Sequence, residues 1–557
     1  MTHPTSGDAF LANLEHAVRA ELSRTEASRP PGQTPLAPIQ EWLFDPADAE
    51  REEVGLRNLL GAVQAVATDR CQHELRRSGS ASTPPHRPCP AAQDRCLHLV
   101  RAVDRPIGGA RYGRMFPDLR RQDADPRLLV RAGGKGGICD AAAFLDTQSV
   151  DGDDAREAAG WPFFGQLIAH DITADRSPIN GDTELEALRN ARGPALDLEM
   201  IYADGPVGAP FLFDLADPAK FLLGLTGGDV PRNQQGVALI GDPRNDSHAI
   251  ALALHIALLQ AHNTIVDLLR VNGAPEPDVF DHARVTLTWH YQWIVVHDFL
   301  PRLVGDELVR RVLAEGGRWY APQPLQAFIP LEFADAAFRY GHAQIRHSYQ
   351  LTEGGPTYPL FPDLVGFGPR PDDERIDLGL LFDLPGRALA QRSKQVDGRL
   401  APSLLELPPQ LTGANENAAF RSLAVRDLLR GASTELPSGE AVADLLGAAP
   451  LTKVELGHDW PRGTPLWFYI LKEAQARTGG DGLGPVGGRI VTEVLIGLLR
   501  ADPTSFLSLQ PDWVPTLPAA TSCFGLADLL TLRPHAPSPP RGSESPDHVE
   551  LDTERHR

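Results

Sequence analysis

Apolar residues recur at intervals of three and four along several long stretches of this chain. This spacing places them on one face of an α-helix, because a helix has about 3.6 residues per turn. Strict alternation of apolar and polar residues, which would indicate strands, is scarce. We therefore expect a mainly α protein with few short strands. The predicted helices cover residues 247–270, 281–304, 331–350 and 490–500.

The two ends of the chain show other patterns. Near the N-terminus, one apolar face predicts a short helix formed around Leu11, Leu14, Val18 and Leu22. Pro-rich stretches follow at residues 29–38 and 78–90, and the last residues are rich in Pro, Ser and charge, as disordered tails are. We predict an N-terminal extension with Pro-rich linkers over 1–105, one large domain over 106–532 and a disordered tail over 533–557.

Composition excludes two classes of protein. The chain has 557 residues, of which 42% are hydrophobic and 23% charged, so it can form a large core and is not disordered throughout. It carries 53 basic and 73 acidic residues, a net charge of −20. Such a surface repels a nucleic-acid backbone, so we expect no nucleic-acid partner.

Cysteine usage and the N-terminal segment bear on location. The five cysteines include no C-x-x-C pair and indicate neither a disulfide framework nor a thiolate metal site, which favours a reducing compartment. The N-terminus lacks a basic start followed by an apolar run. No stretch reaches the roughly 18 apolar residues of a membrane span. We expect a cytoplasmic protein without a transmembrane segment.

Two glycine-rich stretches look like nucleotide-binding motifs but do not support that chemistry. Gly482, Gly484 and Gly487 fit G-x-G-x-x-G, yet the preceding residues predict a helix rather than the strand that a dinucleotide site requires. A turn between two helices is the better interpretation. The run of glycines at 133–137 lacks the spacing of a phosphate-binding loop and predicts a turn.

Three segments carry the candidate chemistry. Gln166 and His170 are four residues apart and share a helical face; Arg244 directly precedes a predicted helix; Arg339 and His342 are three residues apart. Taken singly, each has a structural explanation, such as a core histidine or an ion-paired arginine.

Together the segments resemble the animal haem peroxidase superfamily, with the closest similarity to its bacterial members. The shared motifs are G-Q-x-x-x-H-D, here ending at Asp171, and R-x-G-H, here ending at His342. Residues 283–305 are also similar to a long helix of the family. The resemblance is spread over most of residues 106–530 and implies a large single-domain helical haem peroxidase fold.

The resemblance implies a role for each candidate residue. His342 is the expected axial ligand of haem iron, with Arg339 on the same helix. His170 is the expected distal base, and Arg244 the positive group that stabilises charge as the O–O bond breaks. Gln166 occupies the position that holds a pocket water or halide; a core-edge glutamine bonded to the backbone is the alternative. The implied reaction reduces hydrogen peroxide through a ferryl intermediate and oxidises a small organic or halide donor.

Departures from the family pattern change two expectations. Relatives that bind haem covalently use carboxylates where this chain has Ala169 and Ser247, so we predict non-covalent haem b, unless Asp246 substitutes. The partner of the proximal histidine is an Asn in relatives, and its position here is Asp427. A carboxylate there makes the histidine a stronger ligand. A surface Asp paired with a neighbouring arginine is the alternative.

A calcium site is also implied. Its carboxylates are Asp171, Asp197 and Glu199, and its main-chain oxygens come from Gly193 and Ala195. Oxygen ligands of this kind suit calcium. Relatives have a Thr at the first of these main-chain positions and a Ser at the last carboxylate position, so a solvated acidic loop is the alternative.

Two other functions stay open. The fatty-acid dioxygenase branch of the superfamily carries a radical-forming Tyr three residues before the proximal His, where this chain has Arg339, with Tyr340 one place later. That difference favours a peroxidase, because a shift of one residue rotates a side chain by about 100° on a helix. A haem-binding protein without turnover would lack the distal His or Arg, and both residue types are present here.

Overall fold

The apolar periodicity of the sequence corresponds to α-helices in the computed structural model, which describes residues 110–144, 154–174, 189–225, 227–324, 326–370, 375–413 and 417–533. The predicted N-terminal helix and linkers, and nearly all of the predicted tail, lie outside these ranges. All described residues fall within one compact unit.

The helices differ widely in length. In chain order they are α1 (Pro126–Gly133), α2 (Trp161–Ile172), α3 (Glu199–Tyr202), α4 (Gly205–Gly208), α5 (Ala249–Val271), α6 (Val279–Ile294), α7 (Leu300–Val304), α8 (Asp306–Glu315), α9 (Leu331–Ala334), α10 (Pro402–Leu405), α11 (Pro409–Thr412), α12 (Leu423–Ser433), α13 (Gly439–Leu446), α14 (Lys453–Leu456), α15 (Leu466–Thr478), α16 (Pro485–Ala501), α17 (Phe506–Leu509) and α18 (Leu526–Thr531). A π-helical turn, Val295–Phe299, joins α6 to α7. The 3-10 helices are Ala141–Phe144, Pro210–Leu212, Pro243–Asp246, Glu276–Asp278, Ala337–Gln344, Leu378–Leu380 and Ala418–Arg421.

Strands are few and short, as expected. They are β1 (Ala110–Gly113), β2 (Asp154–Ala158), β3 (Arg189–Asn190), β4 (Ile329–Pro330), β5 (Ser348–Gln350), β6 (Thr357–Pro359) and β7 (Arg392–Lys394). β1 pairs antiparallel with β3 and parallel with β4, while β2 pairs with β7 and β5 with β6, both antiparallel. The predicted mainly α fold is confirmed.

One helix prediction is wrong in part. The segment 331–350 was expected to form one helix, but it forms α9, a 3-10 helix and strand β5. The glycine in this segment lowers helix propensity, and the chain must turn here to bring Arg339 and His342 toward α12. Local periodicity could not show that turn. In the glycine-rich stretch at 482–487, by contrast, the chain does turn between α15 and α16, as predicted.

Five elements in the core position the functional residues. α2 packs against α5 and against the 3-10 helix Ala337–Gln344, and α15 and α16 also pack against that 3-10 helix. α5 is long and apolar enough to cross a membrane by length and composition, although 83% of its most apolar window is buried in the fold. It is therefore a core helix in this structure.

Candidate active site

The first predicted site residue, His170, lies near the C-terminal end of α2 and is buried. Its Nδ1 atom lies 2.7 Å from Oδ1 of Asn245, and Asn245 is completely buried. Because a carbonyl oxygen only accepts, the ring carries its proton on Nδ1 and donates it to Asn245. This tautomer leaves the lone pair of Nε2 unused, as a general base requires.

Asn245 is held in this orientation by further contacts. Its Nδ2 lies 3.0 Å from Nδ1 of His255 on α5 and 3.6 Å from the sulfur of Met200. The amide nitrogen donates, so His255 accepts at Nδ1 and the amide oxygen faces His170. Burial, followed by the charge of Arg244, lowers the pKa of His170 to about 4. His170 is therefore neutral at physiological pH.

Arg244 lies in the 3-10 helix Pro243–Asp246, beside the distal histidine. Its Nη2 donates to the main-chain oxygen of His170 at 2.9 Å, and its Nε and Nη2 donate to the carboxylate of Asp242 at distances from 2.7 to 3.3 Å. Asp242 also caps the 3-10 helix by accepting from the backbone N–H of Arg244. About a third of the arginine side chain is exposed. The guanidinium is thus fixed next to His170 but still accessible.

Gln166 shares the distal face of α2 with His170 and contacts a residue that the sequence did not single out. Its Oε1 lies 2.9 Å from Nε2 of His248. The Nδ1 of His248 accepts from the backbone N–H of Ala251 and caps α5, so Nε2 carries the proton and donates to Gln166. The bond to His248 leaves the amide nitrogen of Gln166 available to a pocket ligand.

His342, the predicted iron ligand, lies in the 3-10 helix Ala337–Gln344. Its Nδ1 is 2.6 Å from Oδ2 of Asp427, a completely buried carboxylate on α12. The carboxylate accepts from Nδ1–H and leaves the Nε2 lone pair available to a metal. The structure therefore brings together the two residues that the resemblance paired.

Arg339 serves the same cluster. Its Nη1 donates to Oδ1 of Asp427 at 3.2 Å, its Nη2 donates to Asp335 at 3.4 Å and its Nε donates to the main-chain oxygen of Ala334. The guanidinium compensates the buried charge of Asp427 and binds one of its carboxylate oxygens, so that the other carboxylate oxygen faces His342. A Cβ atom added to Gly341 would lie 3.9 Å from Cβ of Pro162, so the backbone here lies close to α2, which carries His170.

These two clusters fit a haem iron. Each presents an imidazole whose Nδ1 is engaged and whose Nε2 is available, on two elements that pack against each other. One imidazole has a carboxylate partner, which raises its strength as a ligand; the other has a neutral amide partner and a low pKa, which suits a base. His342 would hold the iron, and His170 would serve as the base.

The residues predicted to bind calcium are only partly available. Glu199 accepts from Arg192 at 3.2 Å and from the backbone N–H of Gly193 at 3.1 Å. Asp197 accepts from the backbone N–H of Glu199, and Ala195 lies in the same loop. Asp171 accepts at Oδ2 from Leu198, while its buried Oδ1 has no hydrogen-bond partner.

Burial, followed by the neighbouring Asp197, raises the pKa of Asp171 well above its usual value. Among the residues that the structure describes, no group of three or more His, Cys, Asp or Glu side chains is placed to hold a metal ion. The side chains of Asp171, Asp197 and Glu199 therefore do not form such a group among the described residues.

Besides Asn245, sequence reasoning missed four members of the site: Arg192, Asp242, His248 and His255. A signal existed for Asp242, because an Asp-Pro-Arg sequence is typical of a helix start. The other three are separated in sequence from the residues they contact. Nothing in the local pattern showed those contacts.

Comparisons with known proteins agree with this geometry. Residues 184–363 match the family model of animal haem peroxidase, a range that includes Arg244, Arg339 and His342 but not His170 or Asp427. Heme peroxidase 2 of Caenorhabditis elegans is 31% identical over 122 residues, which are 21% of this chain and 17% of the relative. The alignments cover between 13% and 27% of the length of the curated relatives that the chain matches.

Solved structures share the fold. Peroxidase A of Dictyostelium discoideum superposes with a TM-score of 0.51 at 14% identity, covering 76% of this chain and 94% of that one. A variant of the Oryza sativa fatty acid alpha-dioxygenase with palmitic acid gives a TM-score of 0.50 at 14% identity, covering 70% of this chain and 75% of that one. The superfamily predicted from the sequence is confirmed. Residues 184–363 of this chain are therefore similar to the animal haem peroxidase family, and the described part of the chain shares the fold of these two solved structures.

Proposed function

We propose that this protein is a haem b peroxidase that reduces hydrogen peroxide and oxidises a small organic donor. The observation that carries the proposal is the pair of histidines with opposite partners: His342 bonded to the carboxylate of Asp427, and His170 bonded to the amide of Asn245. A peroxidase needs one strong axial ligand and one neutral base, and this pair supplies both.

The side chains divide the chemistry between them. Haem, when bound, supplies the iron that accepts a peroxide oxygen and the electrons that break the O–O bond. Nε2 of His170 takes the proton from the oxygen nearer the iron and returns it to the departing oxygen, which leaves as water. Arg244 stabilises the negative charge that develops as that bond breaks. Gln166 donates its free amide N–H to the incoming peroxide or to a pocket water.

The haem is held without a covalent bond. Ala169 and Ser247 stand where an ester would need carboxylates. Asp246 is no substitute, because both of its oxygens accept from Arg232 at 2.8 Å in a buried ion pair. An unmodified haem is a weaker oxidant than an ester-linked one, and Asp427 further stabilises oxidised iron. Phenol-like donors are therefore preferred to chloride.

The dioxygenase alternative requires an oxidisable tyrosine near the iron. Arg339 occupies the relevant position and is bonded to Asp427 and Asp335. Tyr340, the next residue, is buried, and burial raises the pKa of its hydroxyl well above the usual value. Its ring lies 6.4 Å from that of Phe338. The peroxidase is accordingly the proposal, and lipid oxidation is an outcome that the test includes.

The cytoplasmic location stays a prediction.

Spectroscopy of the purified, haem-loaded protein tests the proposal. We expect His342→Ala to lose stable haem binding, and His170→Ala to keep haem but react with hydrogen peroxide at least about 100-fold more slowly. His282→Ala, a change at an exposed histidine of α6, is the control and should match the parent. Extraction with acidified organic solvent should release haem of unmodified mass.

The opposite results would contradict distinct parts of the proposal. If haem binding is retained in His342→Ala but lost in His170→Ala, the roles of the two histidines are the reverse of those proposed. Oxygen uptake with a long-chain fatty acid, without turnover of a phenol and peroxide, would identify a dioxygenase. Haem that stays on the polypeptide after acid extraction would refute the non-covalent attachment.

A further inference from the structure

A buried arginine lies in the loop that supplies most of the calcium ligands implied by the family resemblance. Arg192 follows strand β3 in the loop that leads to α3, and only 8% of its surface is exposed. Its Nη1 donates to Glu199 at 3.2 Å, and its Nη2 donates to Asp242 at 2.7 Å and to the main-chain oxygen of Gly241 at 3.1 Å. One guanidinium thus binds two carboxylates and a carbonyl, the kinds of oxygen that a divalent cation would bind.

Backbone bonds fix the same loop to the end of the distal helix. Asn190 accepts from the backbone N–H groups of Ala174 and Arg192 and donates to the main-chain oxygen of Ile172, two residues after His170. Gly241 approaches the backbone of Met200 so closely that a Cβ atom there would lie 2.5 Å from its carbonyl oxygen. These contacts therefore hold three segments together near Arg192: the loop at 190–199, the end of α2 and the segment that carries Arg244.

The remaining carboxylates have protein partners nearby. Asp197 accepts from the backbone N–H of Glu199, and Asp171 accepts from that of Leu198. The unpaired oxygen of Asp171 is the one atom that favours a cation. Tyr291 is the neighbouring donor: burial, followed by the charge of Asp171, raises the pKa of its buried hydroxyl.

We propose that Arg192 replaces the divalent cation in this chain: its guanidinium holds the loop at 190–199, and the haem pocket assembles without calcium. Glu199, one of the two predicted ligands that differ from relatives, accepts from Arg192 and from the backbone N–H of the other one, Gly193.

Arg192 also acts on the distal site as a positioning residue, a point that rests on the proposed function. Oδ2 of Asp242 accepts from Nη2 of Arg192 and from Nη2 of Arg244, both at 2.7 Å. Asp242 is 2% exposed, so a single buried carboxylate holds both guanidinium groups. Without Arg192, the carboxylate of Asp242 would no longer be held in one orientation. The guanidinium of Arg244, which that carboxylate binds, would then be less well fixed.

The first experiment measures metal dependence in the full-length protein. We expect no stoichiometric calcium by elemental analysis, and the same Tm and Soret spectrum in EDTA as in excess calcium chloride. One calcium per chain, or a fall in Tm on chelation that calcium reverses, would overturn the replacement. This result does not depend on activity, so a protein without peroxidase turnover would refute the proposed function and leave this inference standing.

The second experiment tests the positioning role. Arg192→Gln should lower Tm and slow the reaction with peroxide about 10-fold with haem retained, a loss in the range seen when supporting residues of a metal site are removed. Arg192→Lys keeps the charge but not the forked geometry, so its Tm and its rate with peroxide should lie between those of the parent and of Arg192→Gln. It replaces Arg192→Gln in the test if that variant does not fold. Arg270→Gln is the matched control, because Arg270 also binds two carboxylates, Asp217 and Glu276, at the far end of α5. Variants of Arg192 that react like the parent would overturn the role.

Discussion

Removal of the Asn245 amide should disable the distal base while leaving haem in place. Asn245 is the acceptor for Nδ1–H of His170, at 2.7 Å, and it also donates to His255. In Asn245→Ala, His170 either keeps its proton on Nδ1 without an acceptor or moves it to Nε2, the atom that must take the proton of peroxide. Either outcome raises the barrier of the first step.

The size of the effect follows from the hydrogen bond that is lost. A buried donor left without an acceptor costs about 1–3 kcal/mol, and each 1.4 kcal/mol changes a rate about tenfold. The reaction with peroxide should therefore slow by roughly 5- to 150-fold. The loss should be smaller than that of His170→Ala, which removes the base itself.

Stopped-flow absorbance in the Soret region measures this rate on haem-loaded protein. Asn263→Ala is the control, because the amide of Asn263, on α5, donates to and accepts from the backbone of Phe221 instead. The double variant of Asn245 and His170 should react no more slowly than His170→Ala alone, because the amide acts only through the ring. A full parental rate in Asn245→Ala, or additive losses in the double variant, would refute the reasoning.

Three further expectations concern charge. Asp427→Asn should make His342 a weaker ligand and should raise the reduction potential of the iron. The rise should be about 60 mV for each 1.4 kcal/mol by which the preference for oxidised iron falls, and redox titration measures it. An unchanged potential would contradict the role of Asp427. Arg244→Ala should retain haem and lose about 2.7–4 kcal/mol of transition-state stabilisation, seen as a slower reaction with peroxide. Burial raises the pKa of Glu473, which caps α16, to about 7. Between about pH 4.5 and 7, Glu473 is therefore protonated in the folded state but ionised in the unfolded state. The free energy of unfolding falls across that range as pH rises, by up to about 3 kcal/mol. Glu473→Gln should flatten this dependence of Tm on pH.

Much of this protein is determined locally. The long apolar helices α5, α6 and α16 follow from periodicity, because each buries most of its surface and its spacing is visible in the chain. The residue types at 170, 244 and 342, and the missing carboxylates at 169 and 247, are equally properties of the sequence. These suffice for the family, the mainly α fold and the expectation of non-covalent haem.

The partners of those residues depend on the tertiary structure. Asp427 is 85 residues from His342, and Asn245 is 75 residues from His170; neither distance has a periodicity that a sequence pattern could show. The pairing of His342 with Asp427 was expected only because of a family resemblance, and the pairing of His170 with Asn245 was not expected at all. Hydrogen-bond geometry across the packed helices decided both tautomers.

The acidic loop shows the same division most clearly. The sequence determined that carboxylates occur at 171, 197 and 199, which are the residue types that calcium binds. Only the fold placed the guanidinium of Arg192 between Glu199 and Asp242, the latter 50 residues further along the chain. Acidic residues attract any nearby cation, and which cation reaches them, a metal ion or a side chain, depends on how distant segments pack.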